Sequence, residues 1–389
     1  MKICIVAETL LAGGAEWFIL RHYKALEQKG HDVSLVVLRP DKIDKRILKN
    51  FRSVKKSYPS VLIVKLTVFL DRVLNKLFRK FFFYEQYSYR WLRKKLKKIQ
   101  PHIIHSHLLA ADIIVARANQ GVSTKHVITI HGDYLEFIKE KQKKFLQSVS
   151  VVLKSVDAVV VITDEQKKLF IQHYPFITQK IKKIYNGYPT ENKVYSSYSK
   201  NSRPFTFGMI ARGIPEKGWD VVVEAVKRIN RNDIKLMLFG EGSFLDQLKK
   251  NTTDSRVIFA GFTNDPLTAI QEFDVGLFPS YIPTESLPTT IIEYLMLEKP
   301  VITTDVGECA KMIEGDEGPA GIVIPLNGAK PDISKWAVAM EALQNDKQFY
   351  QFCTLNAASA KTKFEMNKCI NSYIELYKNL LNTCVELQA

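Results

Sequence analysis

Long apolar runs are missing from this 389-residue chain. A membrane-crossing helix needs roughly 18–20 apolar residues in a row. The nearest stretch, Val61 to Leu70, is short and interrupted by Lys65, so no spanning helix is expected. Cysteine is scarce too. Cys4, Cys309, Cys353, Cys369 and Cys384 are odd in number, scattered and without a metal-like spacing. That pattern fits a reducing cytoplasm and offers no disulfide framework or zinc site. The Gly-x-Gly-x-x-Gly fingerprint is absent, which disfavours a dinucleotide oxidoreductase. No low-complexity tract or solenoid-period repeat is present. The apolar opening is broken by Glu8, too early for a secretory leader, and reads as a buried first strand.

Acidic residues are short in one half only. Residues 1–190 hold 35 Lys and Arg against 15 Asp and Glu, a balance of +20, whereas residues 191–389 hold 21 against 25. Such asymmetry speaks to partners, not to fold. Hydrophobic content of 46% and charged content of 25% are ordinary for a globular protein, and the length suffices for two full cores.

Strand-like runs alternate with helical patterns throughout. In the first half they fall at residues 2–7, 33–38, 102–105, 126–130, 158–162 and 181–185, with a helix near 140–155. In the second half they fall at 205–211, 235–239, 256–260, 275–278, 301–303 and 321–324, and the pattern is helical from Ile333 onward. This alternation predicts mostly parallel sheets covered by helices, an α/β architecture. The polar, turn-rich stretch 186–204 is the expected linker.

The segment Glu285-Ser-Leu-Pro-Thr-Thr-Ile-Ile-Glu293 carries two carboxylates eight positions apart. It reads as a loop that enters a helix near Pro288, with Glu293 on the second turn. A helix N-terminus presents free N–H groups and the positive end of a dipole, which suits a phosphate. Flanking carboxylates suit sugar hydroxyls, so the combination suggests a nucleotide diphosphate sugar. Upstream, Arg212 and Lys217 share a strand-to-helix loop, Ile210-Ala-Arg-Gly-Ile-Pro-Glu-Lys-Gly218. They read either as solvated surface cations or as two charges converging on one anion, Arg as a planar fork and Lys as a mobile point charge. Gly13 and Gly14 follow the first strand, as a plain turn or as a backbone approach to an anion. His131 ends a strand, where open parallel sheets face their ligands, although a lone histidine is more often structural. His105 and His107 share a strand face, but no acidic or cysteine partner stands at metal spacing, so no metal site is expected there.

The order of these motifs resembles the retaining glycosyltransferases of family 4, whose GT-B fold sets two facing Rossmann-like domains about a cleft. The resemblance is strongest over residues 205–325, through Arg212 and Lys217, Glu285 to Glu293, Val306-Gly307 and Gly321-Ile-Val-Ile-Pro325. It is looser through Gly13-Gly-Ala-Glu16, His105-Ser-His107, Ile130-His-Gly132 and Tyr185-Asn-Gly187. It implies an acceptor domain over 1–190, joined by the last helix at about 370–389, and a nucleotide-sugar donor domain over 191–369. It also implies roles. Arg212 and Lys217 would hold the diphosphate, helped by N–H groups near Leu287, Thr289 and Thr290 beside Ser286. Glu293 would bind the ribose, Glu285 the transferred sugar, and His131 would position that sugar. Gly14, with Gly13 before it, would lie near the donor phosphates or the acceptor. The Asp-x-Asp motif of the other major glycosyltransferase fold is absent, and two cations with a helix dipole can stabilise a leaving diphosphate alone. Neither metal nor cofactor is therefore expected, and the nucleotide sugar, UDP-linked in preference to GDP-linked, is a substrate.

Residues 72–98 combine cations, among them Arg90, Arg93, Lys94, Lys95, Lys97 and Lys98, with aromatics from Phe78 to Trp91. They read as a solvated helix pair with a packed aromatic side, as a nucleic-acid surface, or as a segment for an anionic membrane. Given a glycosyltransferase, the membrane reading is the most useful. It expects a lipid-linked saccharide acceptor, a peripheral place on the inner face of the cell membrane and no nucleic-acid partner. A nucleotide-sugar epimerase or hydrolase of the same fold and a basic nucleic-acid-binding protein are the alternatives.

Overall fold

The apolar runs of the first half become the strands of one parallel sheet. The computed structural model describes residues 1–11, 13–45, 51, 53–78, 82–122, 124–132, 143–189, 203–326, 328 and 330–386. The chain divides into two units, one of Met1–Pro189 with Met366–Ala389 and one of Thr190–Glu365. Most of the expected linker, together with Arg79, Lys80, Phe81 and Asp133, lies outside the described residues.

In the first unit, β1 (Lys2–Ala7), α1 (Gly14–Gln28) and β2 (Asp32–Val37) lead to the two-residue β3 (Lys56–Ser57). Helices α2 (Val61–Phe78) and α3 (Phe83–Ile99) follow, then β4 (Ile103–His107), α4 (Leu109–Ala118) and β5 (Lys125–Ile130). The series closes with α5 (Lys143–Ser155), β6 (Ala158–Val161), α6 (Asp164–His173) and β7 (Ile181–Lys183). The sheet order is β3-β2-β1-β4-β5-β6-β7. Its middle strands are fully buried (Ile3 to Ala7, Val127, Ile128) because helices cover both faces, so they read as continuous apolar runs. At α6 the sequence sets its own boundary. Thr163 accepts from the Gln166 N–H at 3.0 Å while Gln166 accepts from the Ile162 N–H at 2.8 Å, a reciprocal cap.

The second unit runs β8 (Phe205–Ile210), α7 (Trp219–Arg228), β9 (Ile234–Phe239), α8 (Ser243–Lys250) and β10 (Val257–Gly261). It continues with α9 (Pro266–Gln271), β11 (Val275–Phe278), α10 (Thr289–Met296), β12 (Val301–Thr304), α11 (Cys309–Met312) and β13 (Gly321–Ile324). Helices α12 (Ile333–Asn345) and α13 (Lys347–Ala360) complete it. The sheet order is β10-β9-β8-β11-β12-β13, all parallel. Phe207, Trp219, Leu236, Leu277 and Trp336 form its core.

The last helix, α14 (Met366–Glu386), belongs to the first unit and begins at Met366, ahead of the expected 370. It packs on α1 and lays Ile370, Tyr373 and Tyr377 into the same core as Ile3 and Phe18. Its entry depends on Gly187, where a Cβ would come within 2.7 Å of Cys369 Cβ.

Candidate functional site

Strand order reverses between β8 and β11, and ligand crevices form at the carboxyl ends of strands flanking such a reversal. β8 and β11 pair only through Phe207 with Val275 and Gly208 with Gly276. Beyond that point Tyr294 of α10 fills the gap. Its hydroxyl accepts from the Ile210 N–H at 3.2 Å and donates to the Leu277 carbonyl at 3.2 Å. Gly276 makes room for the ring, which occupies the space a Cβ there would need.

Two loops leave this gap. After Ile210 the chain carries Arg212 and Lys217. Trp219 Nε1 donates to the Arg212 carbonyl at 2.9 Å, and the Gly213 N–H donates to the Glu241 carbonyl at 2.9 Å. A single 3₁₀ turn, Pro215–Lys217, ends at Gly218 with φ of 76°, packed against the Pro279 carbonyl where a side chain would collide. After Phe278 the second loop carries Ser280 and Glu285. The Tyr281 N–H donates to the Glu216 carbonyl at 3.0 Å, tying the loops together.

The two loops bring Lys217 and Glu285 into direct contact. Lys217 Nζ donates to Glu285 Oε2 at 2.5 Å, and Ser280 Oγ donates to the same oxygen at 3.0 Å. The Lys217 side chain is 10% exposed and the Glu285 side chain 16%. The ammonium also lies 5.2 Å from the centre of the Phe278 ring. Glu285 is held in place from behind. Gly307, at φ 56°, packs on its carbonyl, and the Glu308 N–H donates to the Ser286 carbonyl at 3.0 Å. Lys217 is therefore not a mobile point charge. It is half of a fixed ion pair.

Arg212 is exposed, and among the described residues nothing pairs with its guanidinium. Ser286 and Leu287 are buried, and α10 starts at Thr289 with Pro288 as its cap. The N–H groups of Leu287, Thr289 and Thr290 have no partner among the described residues. The Thr290 hydroxyl donates to the Ile210 carbonyl at 3.4 Å, and Glu293 is buried on the second turn. The loops and the helix start thus offer an exposed guanidinium, an ammonium held beside a carboxylate, and N–H groups without a partner among the described residues, which are donors of the kind an anion takes.

The first unit holds the other expected residues. Its sheet reverses between β1 and β4. Gly13 caps α1, but its N–H donates to the Leu11 carbonyl at 2.9 Å. The Glu16 carboxylate occupies the space where a Gly13 Cβ would stand, 2.5 Å from Oε2, and accepts from the Thr9 hydroxyl at 3.2 Å. Gly14 begins the helix. His131 Nε2 meets His107 Nδ1 at 3.0 Å with the rings stacked. His107 in turn lies against His105, at a ring separation of 4.1 Å. His105 bonds Thr129 Oγ1 and Tyr377 OH, each at 2.7 Å, Tyr373 OH bonds Thr129 Oγ1 at 2.9 Å, and His22 reaches Tyr377 OH at 3.2 Å. Burial pushes His22 and His131 down to about 3 and His105 and His107 well below the usual histidine range. All four are neutral imidazoles at pH 7. Among the described residues no three His, Cys, Asp or Glu side chains are grouped to hold a metal ion.

Residues 12–192 match the family described as Glycosyltransferase Family 4, and residues 204–346 match the one described as Glycosyl transferases group 1. The chain belongs to the family 4 glycosyltransferases. This glycosyltransferase is 27% identical over 201 residues to an uncharacterized glycosyltransferase of Methanocaldococcus jannaschii, covering 47% of this chain and 48% of that one. It is 24% identical over 173 residues to the O-antigen chain mannosyltransferase C of Escherichia coli, covering 43% and 44%. The chain thus spans about half the length of the curated relatives it matches. Among solved structures, Anabaena HepE in complex with UDP superposes with a TM-score of 0.77 at 16% identity, over 97% of this chain and 100% of that one. The fold of the glycosyltransferase is therefore GT-B, built from two Rossmann-like units.

The basic helix departs from expectation in one respect. On α3, Arg90, Lys94, Lys97 and Lys98 are exposed, while Arg93 and Lys95 are half-buried. Of the aromatics expected to enter a membrane from the same helix, Phe82 and Phe83 at its start are exposed, but the others do not all face outward. Tyr84, Tyr89 and Trp91 pack against a core of Leu92, Leu96, Ile104 and Val115. No helix of the described residues is long and apolar enough to cross a membrane.

Sequence reasoning missed Tyr294, Ser280, Tyr373 and Tyr377. For Tyr294 a signal exists in Gly276, a glycine inside an otherwise apolar strand. For Tyr373 and Tyr377 the partners are remote in sequence, and Ser280, only five residues from Glu285, carries no local mark.

Proposed function

We propose that this glycosyltransferase moves a sugar from a UDP-sugar to a lipid-linked saccharide during assembly of a bacterial surface polysaccharide, capsule or lipopolysaccharide. Transfer proceeds with retention of configuration and without a metal ion, at the inner face of the cell membrane. The observation that carries this reading is the Lys217–Glu285 pair beside an unpaired Arg212 at the open start of α10. The UDP bound to HepE and the O-antigen role of the Escherichia coli relative support the choice of donor and pathway class.

In this reading Arg212, Lys217 and the N–H groups of Leu287, Thr289 and Thr290, beside Ser286, hold the diphosphate. As the bond from the anomeric carbon to the β-phosphate oxygen breaks, these donors stabilise the charge left on that oxygen. The acceptor oxygen bonds the anomeric carbon on the same face, and its proton passes to the departing phosphate. Glu293 binds the ribose, Glu285 accepts from hydroxyls of the transferred sugar, and neutral His131 positions that sugar. Gly13 and Gly14 line the approach of the donor phosphates or the acceptor. The positive charge of Arg212 and Lys217 substitutes for a divalent cation.

A panel of uridine and guanosine diphosphate sugars, scored by thermal stabilisation, tests the assignment. A UDP-sugar raises the melting temperature most, the product keeps its anomeric configuration by NMR, and turnover persists in a chelator. Failure of every nucleotide sugar to stabilise the protein, inversion, or activity restored only by Mg²⁺ or Mn²⁺ overturns the corresponding part.

The two glutamates separate ground-state from transition-state binding. Glu293→Ala weakens UDP affinity with a smaller change in kcat, because a ribose contact is made equally before and during reaction. Glu285→Ala leaves UDP affinity nearly unchanged and lowers kcat. Calorimetry with UDP alone and steady-state kinetics distinguish the two. Equal losses of UDP affinity in both variants contradict this division.

A further inference from the structure

Exposed large apolar side chains are concentrated in one place. Of the sixteen found among the described residues, nine fall between Tyr58 and Phe83. Six of these lie on α2, and Leu62, Leu66, Phe69 and Val73 are 79%, 54%, 59% and 37% exposed. Their spacing of four, three and four residues puts them in one stripe along the helix. Val64, fully buried, lies on the opposite face. Asp71 shares that face and caps α3, accepting from the N–H groups of Phe83 at 2.6 Å and Tyr84 at 3.0 Å. The stripe therefore points away from the helix that anchors α2 to the unit.

Charge borders the stripe on one side. Lys65, Arg72 and Lys76, seven and four residues apart, fall together along its flank. Between Val61 and Ile99 the only acids are Asp71 and Glu85. Asp71 is spent on the α3 cap, and Glu85 is paired with Arg117. An apolar stripe edged by cations, with neither acid of this segment free to balance them, matches a helix lying in the interface of an anionic bilayer.

We propose that α2 is an insertion helix. Leu62, Leu66, Phe69 and Val73 enter the acyl boundary of an anionic lipid surface while Lys65, Arg72 and Lys76 meet its headgroups. This deepens the membrane-surface reading above and moves the apolar contact from the aromatics of α3 to the stripe of α2. A second copy of the chain is the other occupant with the right periodicity, since a four-three spacing is also a coiled-coil seam. That pairing needs opposite charges beside the seam, and here both helices would bring cations.

The test uses the full chain with vesicles of phosphatidylglycerol and phosphatidylcholine, against phosphatidylcholine alone. Phe69→Trp serves as an emission reporter, and Leu66→Gln with Phe69→Gln as the disabled form. Anionic vesicles shift the emission of the added indole to shorter wavelength, and the double glutamine variant loses at least roughly tenfold in vesicle partition. Circular dichroism and UDP-induced thermal stabilisation of that variant match the parent, which separates insertion from donor binding. Unchanged emission with anionic vesicles, or equal partition of parent and variant, overturns the proposal. So does a lipid-free dimer that the glutamine variant dissolves, which assigns the stripe to self-association. Loss of UDP stabilisation in the parent protein defeats the proposed function and leaves the insertion result standing.

Discussion

Arg212→Ala lowers turnover at least roughly a hundredfold while leaving the melting temperature unchanged. The size is that of losing one charge-stabilising donor at a developing oxyanion. The unchanged stability follows because the guanidinium is exposed and makes no ion pair among the described residues. Lys217→Ala produces a similar fall in turnover, with a difference that identifies the pair. Removing the ammonium strands the Glu285 carboxylate in a largely enclosed site, and an uncompensated charge of that kind destabilises the fold. Lys217→Arg recovers little, because a longer planar fork does not reproduce the close contact of one ammonium with one carboxylate oxygen. Turnover at saturating donor, read beside thermal unfolding of each variant, checks these outcomes. Near-normal rates in folded Arg212→Ala and Lys217→Ala proteins refute the site.

Stability of the first unit falls steeply on acidification. His22, His105, His107 and His126 are fully buried or nearly so. Burial lowers His22 and His126 to about 3 and the other two well below the usual range. In the unfolded chain each takes a proton near pH 6.5. Below that pH the unfolded state binds more protons than the folded one, so acid favours unfolding, and the loss continues until the lowered folded values are reached. Each histidine costs about 1.4 kcal/mol per pH unit in that window. Four together cost about 5 kcal/mol near pH 5.5, comparable with the whole stability of an ordinary domain. The melting temperature is therefore flat above about pH 7 and drops sharply below about pH 6. His126→Asn reduces the number of protons taken up on unfolding by about one. A melting temperature that stays constant down to pH 5 contradicts the assignment of neutral buried imidazoles.

The strands were legible because parallel sheets covered on both faces turn into uninterrupted apolar runs. Val275–Phe278 and Gly321–Ile324 fall where the sequence places them. β4 is displaced toward His107 because His105, Ser106 and His107 are polar residues that the fold buries by bonding them to one another and to their neighbours. Nothing in the composition of Lys56–Ser57 announces an edge strand. Within the site, Arg212, Lys217, Glu285 and Glu293 are visible from motif order. The ion pair between Lys217 and Glu285 is not, because it spans sixty-eight residues and depends on two loops leaving the same gap in a sheet. The apolar positions around α2 and α3 show the same limit. Periodicity gives the stripe on each helix but not the side on which the unit lies. Tyr84, Tyr89 and Trp91 of α3 therefore pack on the core, and the apolar stripe of α2 remained outside.

The return of α14 has a consequence for how the molecule is made. A ribosome delivers Met1–Pro189 first, yet Ile370, Tyr373 and Tyr377, which complete that core, arrive only after Thr190–Glu365 has been synthesised. At ordinary elongation rates the wait is on the order of ten to thirty seconds. During it His105 lacks its tyrosine partner Tyr377, and the core that α1 covers in part is incomplete. The carboxyl-terminal unit, contiguous in sequence, folds while its predecessor is still waiting. The order of maturation is thus the reverse of the order of birth, and a nascent chain stalled before Met366 is a client for chaperones.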